Sequence, residues 1–78
     1  MELGGMPLAT LASGERAVIV ALYRGGPRSR LAALGFTPGT EVRMVRNSGR
    51  GPIIVSLLDT QVALGRGQAM RIAVRKKA

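Results

Sequence analysis

The side chains of this sequence that could carry out acid-base or metal chemistry are few and dispersed. The carboxylates are Glu2, Glu15, Glu41 and Asp59, and the chain contains neither His nor Cys. His is the commonest general base, and His and Cys are the commonest ligands of transition metals. Carboxylates so widely spaced are not typical of a paired-carboxylate hydrolase or of an oxygen-rich divalent cation site. We therefore expect no catalytic residue, no metal ligand and no cofactor.

Neither the serines nor the glycine-rich stretches indicate a catalytic or phosphate-binding site. The serines Ser13, Ser29, Ser48 and Ser56 have no candidate base that could activate a hydroxyl nucleophile. The glycines of 25–26 and 49–51 follow neither the G-x-x-x-x-G-K-[ST] nor the G-x-G-x-x-G pattern of phosphate-binding loops. The sequence thus predicts neither an enzyme nor a small-molecule substrate.

Basic side chains dominate the charge. The chain of 78 residues has 12 Lys and Arg, ten of them Arg, against 4 acidic residues, which gives a formal net charge of +8. Such an excess is typical of proteins that bind a phosphate backbone, so non-specific nucleic-acid binding is the alternative function. Against it, Tyr23 and Phe36 are the only aromatic residues, which leaves no platform for stacking successive bases.

The length favours a single domain with one small core. The longest apolar run, residues 17–23, is shorter than the roughly 20 residues that cross a bilayer, and the N-terminus lacks the pattern of a signal peptide. We expect one cytoplasmic domain over residues 1–78, with a loose leader over 1–6 and a flexible basic tail over 75–78.

Apolar runs and turn residues predict five short strands. The first, over 17–23, is β-branched and apolar on both faces, as in a central strand, and the second covers 41–46 with Val42 and Met44 inward. Residues 53–58 and 61–64 form a hairpin around Asp59-Thr60. After a single turn over 68–70, a half-buried last strand alternates Met70, Ile72 and Val74 with Arg71, Ala73 and Arg75.

One short helix interrupts the strands. It covers residues 28–34, and Gly35 supplies the left-handed residue that ends it, with Phe36 folding back as an apolar contact. Residues 37–40 then form a type II turn with Pro38 and Gly39 at its centre. The predicted fold is all-β with one or two short helices, a small SH3-like β-barrel of about five antiparallel strands.

The order of these pieces resembles the FeoA family of bacterial ferrous-iron transport accessory proteins from residue 8 to residue 74. The pieces that carry the resemblance are LATLASG over 8–14, RSRLAALGFTPGTEV over 28–42, GPI over 51–53, VAL over 62–64 and QAMRI over 68–72. The sequence departs from the family at Gly51, where Asp is usual, and at Asp59, where Gly is usual. The loops on either side of the third strand are therefore expected to differ.

The resemblance implies a cytosolic, non-catalytic accessory protein with an SH3-like fold. It also implies docking on FeoB, the membrane ferrous-iron permease with a GTP-binding domain. The absence of His and Cys agrees with a protein that regulates iron transport without carrying iron.

Three groups of residues are candidates for contacts. Arg24, Arg28 and Arg30 form a basic edge that meets acidic groups of the partner, or else a solvated helix face. Leu31, Leu34 and Phe36 are either an apolar partner-facing patch or, in the stronger interpretation, core residues that cap one end of the barrel. The basic run Arg75, Lys76 and Lys77 is either a frayed end or a weak contact for the anionic inner face of the cell membrane.

Overall fold

The computed structural model describes residues 5–22 and 28–77. These residues form six strands and two short helices: β1 (Met6–Pro7), β2 (Arg16–Leu22), α1 (Arg28–Ala33), β3 (Glu41–Arg46), β4 (Ile53–Leu57), β5 (Thr60–Leu64), α2 (Arg66–Ala69) and β6 (Ile72–Lys76), with a 3₁₀ turn at Leu8–Thr10. The strands pair antiparallel in the order β1-β6-β2-β3-β4-β5. The predicted all-β class with antiparallel strands and short helices is confirmed.

The sheet curls around one core to which the strands, the helix α1 and the 3₁₀ turn all contribute. Val42 and Met44 point inward and are fully buried, as their alternation in the sequence predicts. Burial of each large aliphatic side chain contributes about 1.5–3 kcal/mol, so a domain of this size depends on nearly all of them. The other large, fully buried side chains are Phe36, Leu8, Leu11, Ile19, Leu31, Ile53, Ile72, Val55 and Val74.

The two ends of the chain differ from the prediction. Met6 and Pro7 form β1, which pairs with Val74 and Ala73 on the outer edge of β6. Since this strand is two residues long and contains Pro, no sequence pattern indicates it. Ala73 is buried, in contrast to the half-buried strand that was predicted, although it lies outside the core cluster that Ile72 and Val74 join. Met70 lies before the strand and is exposed.

Helix α1 ends as its sequence predicts. Gly35 has a φ of +106°, and its N–H donates to the carbonyl of Ala32 at 3.0 Å, while the N–H of Phe36 donates to the carbonyl of Leu31 at 3.0 Å. This pair of bonds is the Schellman arrangement, and Leu31 and Phe36 are its buried apolar contact. The helix therefore delivers Phe36 into the core.

The type II turn that follows is also present, and it fixes this segment to the sheet. Gly39 has a φ of +94°, and the N–H of Thr40 donates to the carbonyl of Thr37 at 3.1 Å. The backbone of Ile19 in β2 accepts from Gly39 at 2.8 Å and donates to Thr40 at 2.9 Å. The segment between β2 and β3 is thus attached at the middle of β2.

The β4–β5 hairpin turns one residue earlier than predicted. Leu57 pairs with Thr60, so the turn residues are Leu58 and Asp59 in place of Asp59 and Thr60. Their φ values are +49° and +62°, the left-handed conformations that a type I′ hairpin turn requires. The uninterrupted pairing of β4 with β5, from Ile53↔Leu64 to Leu57↔Thr60, sets this position.

The β3–β4 loop at the other end of β4 is held by Asn47. Its Nδ2 donates to the carbonyls of Ala9 at 2.9 Å and Leu11 at 2.6 Å. Its Oδ1 accepts from the N–H of Gly49 at 3.1 Å and from Nη2 of Arg66 at 2.8 Å. One amide thereby joins the 3₁₀ turn, this loop and helix α2.

Glu15 holds the turn before β2 and the end of β6. Its Oε1 accepts from the N–H of Ala12 at 2.7 Å, and its Oε2 lies 2.9 Å from Nζ of Lys76. The backbone N–H of Ala12 is the larger cause, and Lys76 the next, of a pKa for Glu15 below its ordinary value of 4.5.

Replacement of Gly35 by Ala should lower the free energy of unfolding by about 1–2 kcal/mol, because a side chain is disfavoured at this positive φ. A Cβ at Gly35 would also lie 2.8 Å from Cδ1 of Leu58. Urea unfolding measures the change. The control is Gly67→Ala, which places a methyl group in α2 with nothing within 4 Å and should be neutral or stabilise by up to about 1 kcal/mol. Equal effects of the two substitutions would contradict this account of Gly35.

Replacement of Asn47 by Ala should destabilise the protein by about 1–3 kcal/mol, because in a part-buried site the carbonyl of Leu11 loses its donor and that of Ala9 keeps only Nη1 of Arg66 at 3.4 Å. The control is Ser48→Ala in the same loop, which removes a single exposed bond of 3.3 Å to the carbonyl of Arg50. That variant should change the free energy of unfolding by less than about 0.5 kcal/mol. If urea unfolding gave both variants the wild-type stability, the Asn47 contacts would not hold the loop.

The lowered pKa of Glu15 predicts a loss of stability in acid. Because the pKa is lower in the folded than in the unfolded protein, the stabilisation is complete above 4.5 and disappears as the pH falls through the folded-state pKa. Glu15→Gln should therefore flatten the pH dependence of the urea midpoint between neutral pH and about pH 3. Lys76→Met should keep most of that dependence, since Ala12 is the larger cause. An unchanged pH profile in Glu15→Gln would refute the assignment.

Candidate partner-binding surface

The predicted basic edge lies in and before helix α1. Arg24 is outside the described residues, Arg28 is the first residue of α1, and Arg30 is exposed. Within the described part of the chain, the guanidinium of Arg30 makes no hydrogen bond or ion pair. A guanidinium in this state keeps its hydration and its donors for a partner.

The three apolar candidates separate into two kinds. Leu31 and Phe36 are buried in the core cluster, in agreement with the core interpretation. They cannot form a contact surface, so the hypothesis that they bind a partner directly is wrong. Leu34 is 45% exposed and belongs to the surface. Its spacing of three from Leu31 suggested a shared face, but the helix ends at Ala33 and Leu34 lies in the turn that closes it.

The exposed end of α1 lies beside the tip of the β4–β5 hairpin. The N–H of Leu34 donates to the carbonyl of Arg30 at 3.2 Å, so these two residues stand one helical turn apart on the same side. Leu58 lies over Gly35 and is 69% exposed. We name Arg30, Leu34, Gly35 and Leu58 the helix–hairpin surface.

Leu58 was missed by the sequence reasoning, which placed it inside a strand. The interpretation of residues 53–58 as one apolar run assigned it to β4 and started the turn at Asp59. The available signal was the family position of Asp59, where Gly is usual, because a glycine there marks the second residue of a two-residue turn.

The predicted flexible tail is part of the sheet as far as Lys76. Arg75 and Lys76 lie in β6 opposite Val18 and Ala17. Nζ of Lys76 contacts Glu15, and Nζ of Lys77 lies 3.1 Å from Oε1 of Glu41. These carboxylates and the strand pairing order the segment, so the prediction of a flexible tail is wrong for residues 75–77. Lys76 and Lys77 are partnered, and Arg75 is exposed.

The other arginines are distributed around the domain. Arg16 forms an ion pair with Glu41 at 3.5 Å, and Arg66 belongs to the Asn47 network. Arg43, Arg46 and Arg50 are exposed on β3 and the loop after it. This arrangement spreads positive charge over several faces and does not gather it in one groove.

Neither a metal-ligand cluster nor a membrane-spanning helix is found among the described residues. Over 5–22 and 28–77 no group of three or more His, Cys, Asp or Glu is placed to hold a metal ion. In the same ranges no helix has the length and apolar content needed to span a bilayer.

The chain matches a known protein family over most of its length. Residues 6–76 match the model of the FeoA domain. The chain is 36% identical over 69 residues to the protein of Methanocaldococcus jannaschii named "Putative Fe(2+) transport protein A", and the match covers 87% of this chain and 83% of that protein.

Two crystal structures share the fold. That of an iron uptake regulatory protein, FeoA, has a TM-score of 0.86 at 32% identity and covers 96% of this chain and 100% of its own. That of Stenotrophomonas maltophilia FeoA complexed with zinc, described as a procaryotic SH3 domain protein, has a TM-score of 0.79 at 33% identity and covers 88% of each chain. The SH3-like prediction is confirmed, and with the family match over 6–76 this chain belongs to the FeoA domain family.

Proposed function

We propose that this chain is a non-catalytic accessory protein of ferrous iron uptake that docks on the cytosolic GTP-binding region of a FeoB-type permease. The observation that carries the proposal is the FeoA domain match over nearly the whole chain. Two relatives add to it: one is named for Fe(2+) transport, and the Stenotrophomonas maltophilia FeoA is described as a possible ferrous iron transport activating factor.

The chemistry of the chain supports a role without catalysis. The sequence has neither His nor Cys. Of its four carboxylates, Glu15 and Glu41 form ion pairs with Lys76, Lys77 and Arg16. Carboxylates in such pairs serve the fold, and the chain has no histidine to activate a nucleophile.

The helix–hairpin surface is the part of the described structure best suited to docking. It combines exposed apolar side chains with the unpartnered guanidinium of Arg30. The stretch of sequence over 24–40 contains three arginines and no carboxylate. A complementary partner surface would be acidic, and such complementarity speeds association and selects the partner.

The proposal predicts saturable binding of this protein to the purified cytosolic GTP-binding region of the FeoB-type permease from the same organism. Isothermal titration with and without guanine nucleotide measures it. Arg28→Glu combined with Arg30→Glu should weaken binding by about tenfold or more, because the reversed charges meet acidic groups of the partner.

The matched control is Arg46→Glu combined with Arg50→Glu, which changes the net charge equally at the opposite end of β4. This variant should bind within about threefold of the unsubstituted protein if the contact is local. Equal weakening by both pairs would show that overall charge, and not the surface at α1, controls the interaction. Binding to random RNA alone, lost steeply with salt, would replace the proposal by the nucleic-acid function.

A further inference from the structure

We propose that Leu58 is a contact residue of the docking surface, and that it receives, together with Leu34 and Arg30, a partner segment in which an apolar side chain is flanked by carboxylates. This inference rests on the proposed function and specifies the chemistry of the partner at the same site.

The first observation is the backbone of Leu58. Its φ is +49°, in the left-handed region that a γ-branched side chain adopts at a cost and that Asn, Asp and Gly tolerate. The first position of a type I′ turn normally carries one of those residues. Leucine at this position is a poor choice for the turn itself.

The second observation is that burial does not offset this cost. The side chain of Leu58 is 69% exposed, the largest exposure among the large hydrophobic residues that the structure describes. Strained backbone that persists without an internal reason is found preferentially at ligand contacts. Neither the turn nor the core accounts for a leucine here.

The third observation is that Leu58 is not isolated. A Cβ at Gly35 would lie 2.8 Å from Cδ1 of Leu58. The absence of a side chain at Gly35 therefore leaves room for the side chain of Leu58. Leu34 precedes Gly35 and is 45% exposed. Two exposed leucines therefore lie next to Gly35, whose Cβ position is also 3.4 Å from Cδ1 of the buried Leu57. We treat these two leucines as the apolar patch of the proposed contact.

Charge identifies the occupant. Arg30 stands one turn before Leu34, and no carboxylate occurs over residues 24–40. Asp59, the second turn residue, is the acidic neighbour on the hairpin. A second copy of this chain is a poor occupant, because a twofold axis through the patch would bring two Arg30 side chains together on molecules of charge +8. An acidic and apolar segment of another protein satisfies both parts of the surface.

The decisive variant is Leu58→Asn, which suits the left-handed conformation and removes the apolar side chain. We expect its thermal unfolding midpoint to equal or exceed that of the unsubstituted protein. We expect its affinity for the cytosolic GTP-binding region of the FeoB-type permease to fall by about tenfold or more, as for a contact that contributes strongly to an interface. Leu58→Gly should behave in the same way, and it serves as the second variant if the asparagine protein folds poorly.

The matched control is Met70→Gln. Met70 is 48% exposed, similar to Leu34, and it follows α2, which Arg66 anchors to the carbonyl of Gly51 at the far end of β4. This variant should bind as the unsubstituted protein does.

The possible outcomes distinguish the role of Leu58 from the proposed function. Unchanged binding by both Leu58 variants, with weakened binding by the Arg28 and Arg30 reversals, would overturn the role of Leu58 and leave the proposed function intact. No binding by the unsubstituted protein would overturn the proposed function and this inference with it. Self-association of the unsubstituted protein that is lost in Leu58→Asn, seen by sedimentation, would assign the patch to a second copy and contradict the proposed occupant.

Discussion

The backbone of Ile19 joins the parts of the molecule on which the rest of the structure depends. In β2 this residue lies opposite Val74 of β6, while its N–H and carbonyl bond to Thr40 and Gly39 of the turn before β3. Because the turn is attached here, Phe36 is held in the core and the end of α1 is held beside the β4–β5 hairpin. The helix–hairpin surface forms because the connection between β2 and β3, which contains α1, is hydrogen-bonded back to the middle of β2.

The few acidic side chains are also placed unevenly over the fold. In a chain with 4 acidic residues, Glu15 and Glu41 are placed where β2, β3 and β6 bring Arg16, Lys76 and Lys77 together. These exposed pairs contribute little stability singly, but they offset repulsion at the basic end of β6. The same placement leaves Arg30 in α1 without a carboxylate partner among the described residues. Among the described residues, ion pairing is therefore concentrated where β2, β3 and β6 meet, whereas the charge of Arg30 is uncompensated.

The sequence predicted the features whose causes are local. The end of α1 at Gly35 and Phe36, the turn over 37–40 and the bounds of β3 follow from capping, turn chemistry and alternation within a few residues. β1 and the ordered end of β6 were not predictable in this way, because they depend on pairing between residues 57 to 68 positions apart. The candidate surface divides similarly: the exposure of Arg30 was predicted, whereas the position of Leu58 depends on strand pairing and on the approach of Gly35.

The remaining question is why an apolar residue stands at the hairpin tip. Elsewhere in the described structure, the special backbone positions carry residues suited to them: Gly14, Gly35, Gly39, Gly49 and Gly51 adopt positive φ. Asp59 also suits its left-handed position, which leaves Leu58 as the exception. Where a sequence otherwise places suitable residues at positive φ, an unsuitable residue is expected at a position that serves another purpose, such as binding. The register of β4 with β5 places residue 58 in the turn but does not require a leucine there, and we attribute the leucine to the partner contact proposed above.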